Sequence, residues 1–172
     1  VAIGNSATNG TNGLNSVAIG NSATTGQYSV AIGGSTPTAA LYGVAIGNST
    51  SATTGGVSIG KSAATTGANG AIAIGESSAA GDRGLAIGLG AQSTSQNAIA
   101  IGRSAVASGT RSVMINLSAT NTRTNSTTDS LEVNFNDSTS TFRIGKSVDS
   151  WVNTSANFGI GTTTPSAKLT VN

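Results

Sequence analysis

The chain of 172 residues contains neither cysteine nor histidine. Without thiols there can be no disulfide framework and no thiolate metal site. Without imidazole the usual zinc ligand sets and histidine-dependent triads are excluded as well. Aromatic residues are scarce, at three Phe, two Tyr and one Trp, and no charged side chain precedes Lys61. A nucleic-acid-binding surface needs a concentrated basic stripe with stacking aromatics, and eight basic and six acidic residues scattered singly do not provide one. No apolar run approaches the roughly 20 residues that span a bilayer, and no signal peptide is visible. Nucleic acid is therefore not an expected partner, no membrane span is expected in this segment, and no cofactor or metal is expected.

What is present is Ser, Thr, Asn and Gly, together about half of the residues. That composition usually belongs to linkers, but Val and Ile fall at regular places along it. A polar chain with a thin periodic apolar line points to a solenoid. Val1-Ala2-Ile3-Gly4 recurs at Val17, Val30 and Val44, then as Val57-Ser58-Ile59-Gly60, Ile72-Ala73-Ile74-Gly75, Leu85–Gly88 and Ile99–Gly102. It decays into Val113-Met114-Ile115-Asn116. These starting points set a coil of 13–16 residues, about nine times over. The structural repeat positions are Ile3, Gly4, Ile19, Gly20, Ile32, Gly33, Ile46, Gly47, Ile59, Gly60, Ile74, Gly75, Ile87, Gly88, Ile101 and Gly102. A Ser follows two residues later at Ser6, Ser22, Ser35, Ser49, Ser62, Ser77, Ser104 and Ser118, and only Gly90 breaks that column. Ala often comes next, as at Ala7, Ala23, Ala63, Ala91, Ala105 and Ala119. Val1 itself stands inside a repeat, so the sequence reads as part of a longer chain.

Alternation makes Val-Ala-Ile a strand, with the first and third side chains on one face and the small middle one on the other. The two β-branched side chains are expected to be the buried pair of each coil. The Ala-rich opposite face then suits close approach of another copy. The Gly ends each strand where the chain turns through positive φ, which Gly adopts at no steric cost and Asn116 should tolerate. Thr-Thr-Gly and Asn-Gly segments supply the return turns. Two side chains cannot offset the entropy of ordering some 14 residues, so coils must stack about 4.8 Å apart, giving a rod of roughly 40 Å. The fold class is all-β: a parallel β-roll or solenoid over residues 1–116, a polar connector over 117–130, and a small β-module over 131–172. In that module Leu131–Phe135 alternates as a strand, Phe142–Ile144 reads as its partner across an Asn136–Thr141 turn, Ser150–Asn153 suits another strand, and Leu169 to Val171 a last one. Four aromatics, Phe135, Phe142, Trp151 and Phe158, are expected to pack it.

The SVAIGNSA-type units over residues 1 to about 119 resemble the head repeats of YadA-like trimeric adhesins. That resemblance implies a left-handed parallel β-roll with three chains side by side. Gly159-Ile-Gly-Thr-Thr-Thr-Pro-Ser-Ala-Lys-Leu-Thr-Val171 resembles the junction of phage tail fibres that lies just ahead of a self-cleaving intramolecular chaperone domain. Together the two imply a homotrimeric attachment protein: a tail-fibre segment on an extracellular virion, with other tail or fibre proteins and a host-surface glycan or protein receptor as partners. The alternative is the head of a bacterial trimeric autotransporter adhesin on the cell surface, binding host matrix or cells. Neither resemblance carries over any receptor-contact residue.

Gly55-Gly56-Val57-Ser58-Ile59-Gly60-Lys61-Ser62 formally satisfies the phosphate-loop pattern. Val57–Gly60 is however the repeat strand, and Lys61 fills the slot held by Asn5, Asn21, Asn48, Glu76 and Arg103 in other coils. The carboxylates Glu76, Asp82, Asp129, Glu132, Asp137 and Asp149 form no close motif of the kind acid–base catalysis needs, so no catalytic residue is assigned and an enzyme is not expected. A glycan-degrading tailspike would require a carboxylate-lined groove. Asn134, Asn136 and Asp137 are oxygen donors for calcium without a loop-length pattern. Trp151 suits either stacking on a sugar or burial in the aromatic module. Tyr28 and Tyr42 fall in turns, where they are candidates for exposed contacts. Asn-x-Ser/Thr triplets begin at Asn9, Asn48, Asn116, Asn125, Asn136 and Asn153, as chance allows in this composition.

Overall fold

The computed structural model describes residues 1–10, 14–67, 69–118, 120–135 and 142–146, and the backbone of Trp151–Val152, Phe158–Ile160 and Leu169–Val171. Among these residues the structure is all strand and turn: a parallel β-solenoid of about nine turns. Each coil contributes one strand to each of two sheets. The repeat sheet takes the Val-Ala-Ile segments, from Ala2–Ile3 and Val17–Ile19 down to Ile99–Ile101 and Val113–Asn116, in strict sequence order. The return sheet takes the two- or three-residue strands between them, from Thr8–Asn9 and Thr24–Thr25 to Ala105–Ala107. Register is like on like: Val17 pairs with Val30, Ala18 with Ala31 and Ile19 with Ile32, and Leu85, Ala86 and Ile87 pair with Ile99, Ala100 and Ile101. Every rung hydrogen-bonds to the next, as where the Gly20, Gly33, Gly47 and Gly60 amides donate to the carbonyls of Ile3, Ile19, Ile32 and Ile46 at 2.8–2.9 Å.

The two faces of the repeat strand are exchanged relative to the sequence expectation. The middle residue points into the coil: Ala18, Ala31, Ala45, Ala73, Ala86 and Ala100 are fully buried, as is Ser58. Val and Ile point outward, half-buried in most coils and exposed at Val1, Ile3, Ile46, Ile72 and Ile87. Width explains the exchange. A 13-residue coil folded into two strands leaves an interior lined from the other side by Ala23, Ala39, Ala52, Ala63 and Ala91, with no room for a β-branched pair. The interior is so narrow that a Cβ at Gly56 would lie 2.4 Å from Thr65 Oγ1, and one at Gly84 2.5 Å from Ser93 Oγ. Small faces small throughout, which is the shape-matching a close-packed interior demands.

The repeated Gly is required twice over. Gly20, Gly60 and Gly88 have φ of +126°, +128° and +134°. A Cβ at any of them would also strike the carbonyl of the glycine one rung away, at 1.7 Å from Gly33 O, 2.6 Å from Gly75 O and 2.5 Å from Gly102 O. The following column is left-handed as well: Ser6, Ser22, Ser49, Ser62, Ser77 and Ser104 lie at φ of +50° to +56°, and Gly90, the break in the Ser column, at +64°. In the third coil the rung is held by Thr36, whose amide donates to Asn21 O at 3.2 Å as Ser22 donates to Asn5 O, and Gly34 is the inserted residue.

Asn116 occupies the Gly position for a different reason from the one expected. It keeps strand backbone without positive φ, is buried, and donates through Nδ2 to Arg103 O at 2.8 Å and Asn121 O at 2.9 Å. Its Oδ1 accepts from Asn134 Nδ2 at 2.9 Å. Asn125 is fully buried in the same manner, donating to Val113 O at 2.9 Å and accepting from Ser130 Oγ at 3.0 Å. Stacking therefore continues past residue 116, where composition suggests a connector. Arg123–Asn125 extends the return sheet, and Ser130–Asn134 the repeat sheet, with Val113 beside Leu131 and Ile115 beside Val133. What changes is the filling, from Ala methyls to hydrogen-bonded amides, with Met114 and Glu132 in the inward slots. The sheet then reverses. Phe142–Gly145 pairs antiparallel with Ser130–Asn134, placing Leu131 opposite Ile144 and Val133 opposite Phe142 as the sequence suggests. Trp151–Val152 adds an antiparallel strand to it, and Phe158–Ile160 pairs parallel with Leu169–Val171. Phe135 is exposed rather than part of an aromatic core. The Asn136–Thr141 turn, Ala119 and most of the 159–171 junction lie outside the described residues, as do the side chains of Trp151 and Phe158.

Candidate interaction surfaces

Three surfaces follow from this architecture. The first is the outer face of the repeat sheet, where the repeat positions Ile19, Ile32, Ile46, Ile59, Ile74, Ile87 and Ile101 form one column and Val17, Val30, Val44, Val57, Ile72, Leu85 and Ile99 a second. Side by side and continued by Val113 and Ile115, they make an apolar ribbon about nine rungs long, ~40 Å at strand spacing. Monomeric proteins rarely leave a contiguous apolar patch of more than a few hundred Å² to water, and larger ones mark association surfaces. The glycines Gly4, Gly20, Gly33, Gly47, Gly60, Gly75, Gly88 and Gly102 end this face and serve the stacking itself.

The second surface is the corner after the Gly column. It carries Asn5, Asn21, Asn48, Lys61, Glu76, Leu89 and Arg103. Lys61 Nζ meets Glu76 Oε1 at 3.1 Å on adjacent rungs, both side chains more than half exposed, so this pair contributes little. The phosphate-loop pattern ends here. The amides of Gly55, Gly56, Val57, Gly60 and Ser62 donate to the carbonyls of Leu41, Thr53, Ala71, Ile46 and Asn48. They are committed to the fold and unable to cradle a phosphate, as the repeat reading of that segment implies.

The third surface is the opposite corner. Nine residues stand one above another there in left-handed backbone: Asn15, Tyr28, Tyr42, Gly55, Gly70, Arg83, Asn97, Arg111 and Asp129, with φ of +35° to +66°. Tyr28 and Tyr42 lie in turns as the sequence suggests, 46% and 59% exposed, with rings stacked at 5.4 Å and 14°. Below them Asp82 accepts from Asn69 Nδ2 at 2.8 Å, from Gln96 Nε2 at 3.1 Å and from Arg83 Nε at 3.3 Å. The hydrogen bonds from Gln96 and Asn69, more than the Arg83 charge, hold its carboxyl below the usual range. Arg111 grips Asp129 through Nε and, at 2.9 Å, through Nη2, which lowers the Asp129 pKa and raises that of Arg111.

The described carboxylates thus stand apart, with Glu76 and Asp82 at opposite corners of one coil and Asp129 and Glu132 further along the stack. Glu76 pairs with Lys61, Asp82 and Asp129 are held at the far corner, and Glu132 points inward at the end of the stack. Asp137 and Asp149 lie outside the described residues, with Asn136 of the suggested calcium donors. The third donor, Asn134, is buried in the amide ladder. Among the described residues no group of three or more acidic, His or Cys side chains converges as a metal site, and no helix is long and apolar enough to cross a membrane. The triplets at Asn116 and Asn125 present buried, hydrogen-bonded amides, whereas Asn48 is exposed.

Sequence reasoning marked the Val and Ile columns but assigned them to the interior. It did not find the left-handed corner column, whose nine members span Asn, Tyr, Gly, Arg and Asp. No curated protein and no solved structure matches the chain. The family model of the YadA head domain repeat (2 copies) matches residues 12–36, 25–50 and 93–113, so YadA-like head repeats are present in the chain, and such repeats point to a trimeric, adhesin-like protein outside the cell.

Proposed function

We propose that this chain is a segment of a homotrimeric attachment fibre, a structural protein without enzymatic activity that displays a receptor-binding surface. The outward Val and Ile ribbon carries the proposal. Solvent cannot be its resting environment, and three copies laid side by side bury all three ribbons at once. The roll supplies the missing core of a thin solenoid through its neighbours, and the trimer multiplies weak receptor contacts into avidity. A virion tail fibre fits best, because the Gly159–Val171 segment is similar to the junction ahead of a fibre chaperone domain. Its partners would be tail or fibre proteins and a host-surface glycan or protein. The match to YadA head repeats favours a second reading, the head of a bacterial surface adhesin binding host matrix or cells.

Sedimentation equilibrium on the purified chain tests the assembly. A trimer is expected, and a stable monomer at micromolar concentration would overturn it. Labelled protein applied to bacteria and to animal cells or matrix separates the two readings by which of them it decorates. The gene sequence beyond residue 172 does so independently. A chaperone domain supports the fibre, and a coiled coil followed by a membrane anchor supports the adhesin. Polysaccharide depolymerisation by the purified chain would overturn the non-enzymatic assignment.

A further inference from the structure

Along the left-handed corner the nine rungs differ in what they project. Tyr28 and Tyr42 stack, then Gly55 and Gly70 project nothing, then Arg83 begins a polar group with Asp82, Asn69 and Gln96. The rung order is fixed by the backbone, since the Tyr42, Gly55 and Arg83 amides donate to the carbonyls of Gln27, Leu41 and Asn69 on the preceding rungs. One face of the Tyr42 ring therefore lies against Tyr28, and the other looks over Gly55 and Gly70, with Thr54 and Asn69 beside them. A Cβ at Gly70 would meet no atom within 4 Å, and one at Gly55 only Gly70 backbone at 3.7 Å. At about 4.8 Å per rung, Tyr42 and Arg83 stand ~14 Å apart along the column. Asn69, on the Gly70 rung, borders the lower part of that span, so the notch has about the height of one pyranose ring.

The make-up of the notch selects among ligands. Its ceiling is an aromatic face, its back wall is the Gly55 and Gly70 backbone flanked by Thr54 and Asn69, and its floor is an amide, carboxylate and guanidinium cluster. Arg83 and Asp82 balance in charge at 3.2 Å, so the floor offers hydrogen bonds rather than a net field. An aromatic face suits the C–H side of a sugar ring, and such a floor suits its hydroxyls.

We infer that the notch between Tyr42 and Arg83 is a glycan-binding site, taking a pyranose unit stacked on Tyr42 with its hydroxyls toward Asn69, Asp82 and Gln96. This rests on the attachment reading and assigns it a ligand class and a place.

Two variants test it without disturbing the stack. Asn occupies this same column at residues 15 and 97 with φ of +54° and +55°, so Tyr42→Asn removes the platform and Gly55→Asn fills the notch, each with a residue the rung accepts. The wild-type oligomer and both variants are applied to a printed array of neutral and acidic oligosaccharides, to unglycosylated collagen-like peptides, and to whole cells that the wild type decorates. Binding of at least one oligosaccharide, weakened tenfold or more by each variant with circular dichroism and oligomer size unchanged, supports the site. Array binding that both variants retain overturns it, as does the absence of any oligosaccharide hit, peptide binding lost in the variants, or dissociation of the Tyr42→Asn oligomer. Whole-cell binding that survives both substitutions removes the site but leaves the attachment reading intact. A wild type that decorates no cell removes the attachment reading together with the site.

Discussion

Each coil turns twice through left-handed backbone, and the two corners obey different rules. At the first, Gly4, Gly20, Gly33, Gly47, Gly60, Gly75, Gly88 and Gly102 hold one column, which ends at Asn116 where the positive φ is lost. At the second, a column at φ of +35° to +66° holds Asn, Tyr, Gly, Arg and Asp. That is the left-handed region that other residues enter at a cost, whereas the +107° to +147° of the first column lies beyond it and falls to glycine. The next rung separates the columns further: a Cβ at the first corner would lie 1.7–2.6 Å from a neighbouring carbonyl oxygen, whereas a Cβ at Gly55 or Gly70 of the second meets nothing closer than 3.7 Å. The first corner is fixed by the fold, and the second is free to carry chemistry.

The largest expected effect tests the crowded corner. Gly60→Ala adds a methyl 2.6 Å from Gly75 O and 2.7 Å from its carbonyl carbon, and a backbone neighbour cannot rotate away. The φ of +128° lies beyond the left-handed region, where even the ordinary penalty is about 1–2 kcal/mol, and the collision adds to it. A loss of about 3 kcal/mol or more is expected in urea unfolding followed by circular dichroism. A loss below about 1 kcal/mol would mean that φ and crowding are both relieved by a small shift of the rungs.

Next comes the interior. Ala86→Val puts two methyl groups into a fully buried slot facing the return sheet, and overpacking of this kind costs typically 1–3 kcal/mol. The adjacent Ile87→Ala, on the outer face, should leave the unfolding of a single roll almost unchanged while weakening association, read as a raised trimer dissociation constant by sedimentation. The reverse pattern would restore the assignment of Val and Ile to the interior.

The repeat was legible because stacking imposes like on like. The period, the repeat strands and the antiparallel pairing of Leu131–Val133 with Phe142–Ile144 follow from alternation and turn residues, whereas the return sheet was hidden in segments read as turns, such as Thr24–Thr25. Which face is inside was not legible, because alternation defines two faces without naming them. The decision rests on coil width, and that depends on contacts such as the one between Gly56 and Thr65 across the roll. The coils beyond Asn116 were obscured for a related reason. Their interior is built from the Asn116–Asn134 and Asn125–Ser130 hydrogen bonds, so the apolar signature vanishes while the stacking persists. The corner notch was invisible because it consists of one aromatic and two missing side chains on successive rungs, which lie 13–15 residues apart.

The smallest effects belong to the permissive corner and sharpen the comparison by contrast. Gly55→Ala places a methyl in ordinary contact at 3.7 Å. The left-handed cost for Ala is partly offset by the lower entropy of the unfolded chain, so a change within about 1 kcal/mol is expected. Asp129 adds a pH signature at the same corner. Arg111 holds its carboxyl below the ordinary value, so the folded chain keeps it ionised at a pH where the unfolded chain begins to take up a proton. Its contribution is therefore complete above the ordinary carboxylate range and fades as pH falls through the depressed folded value. Both side chains are solvated, so the contribution is small. Comparing Asp129→Asn with the wild type in thermal melts from pH 7 to pH 2.5 should show a slight deficit at neutral pH that closes on acidification. A deficit that persists at pH 2.5 would show that the role of Asp129 does not depend on its charge.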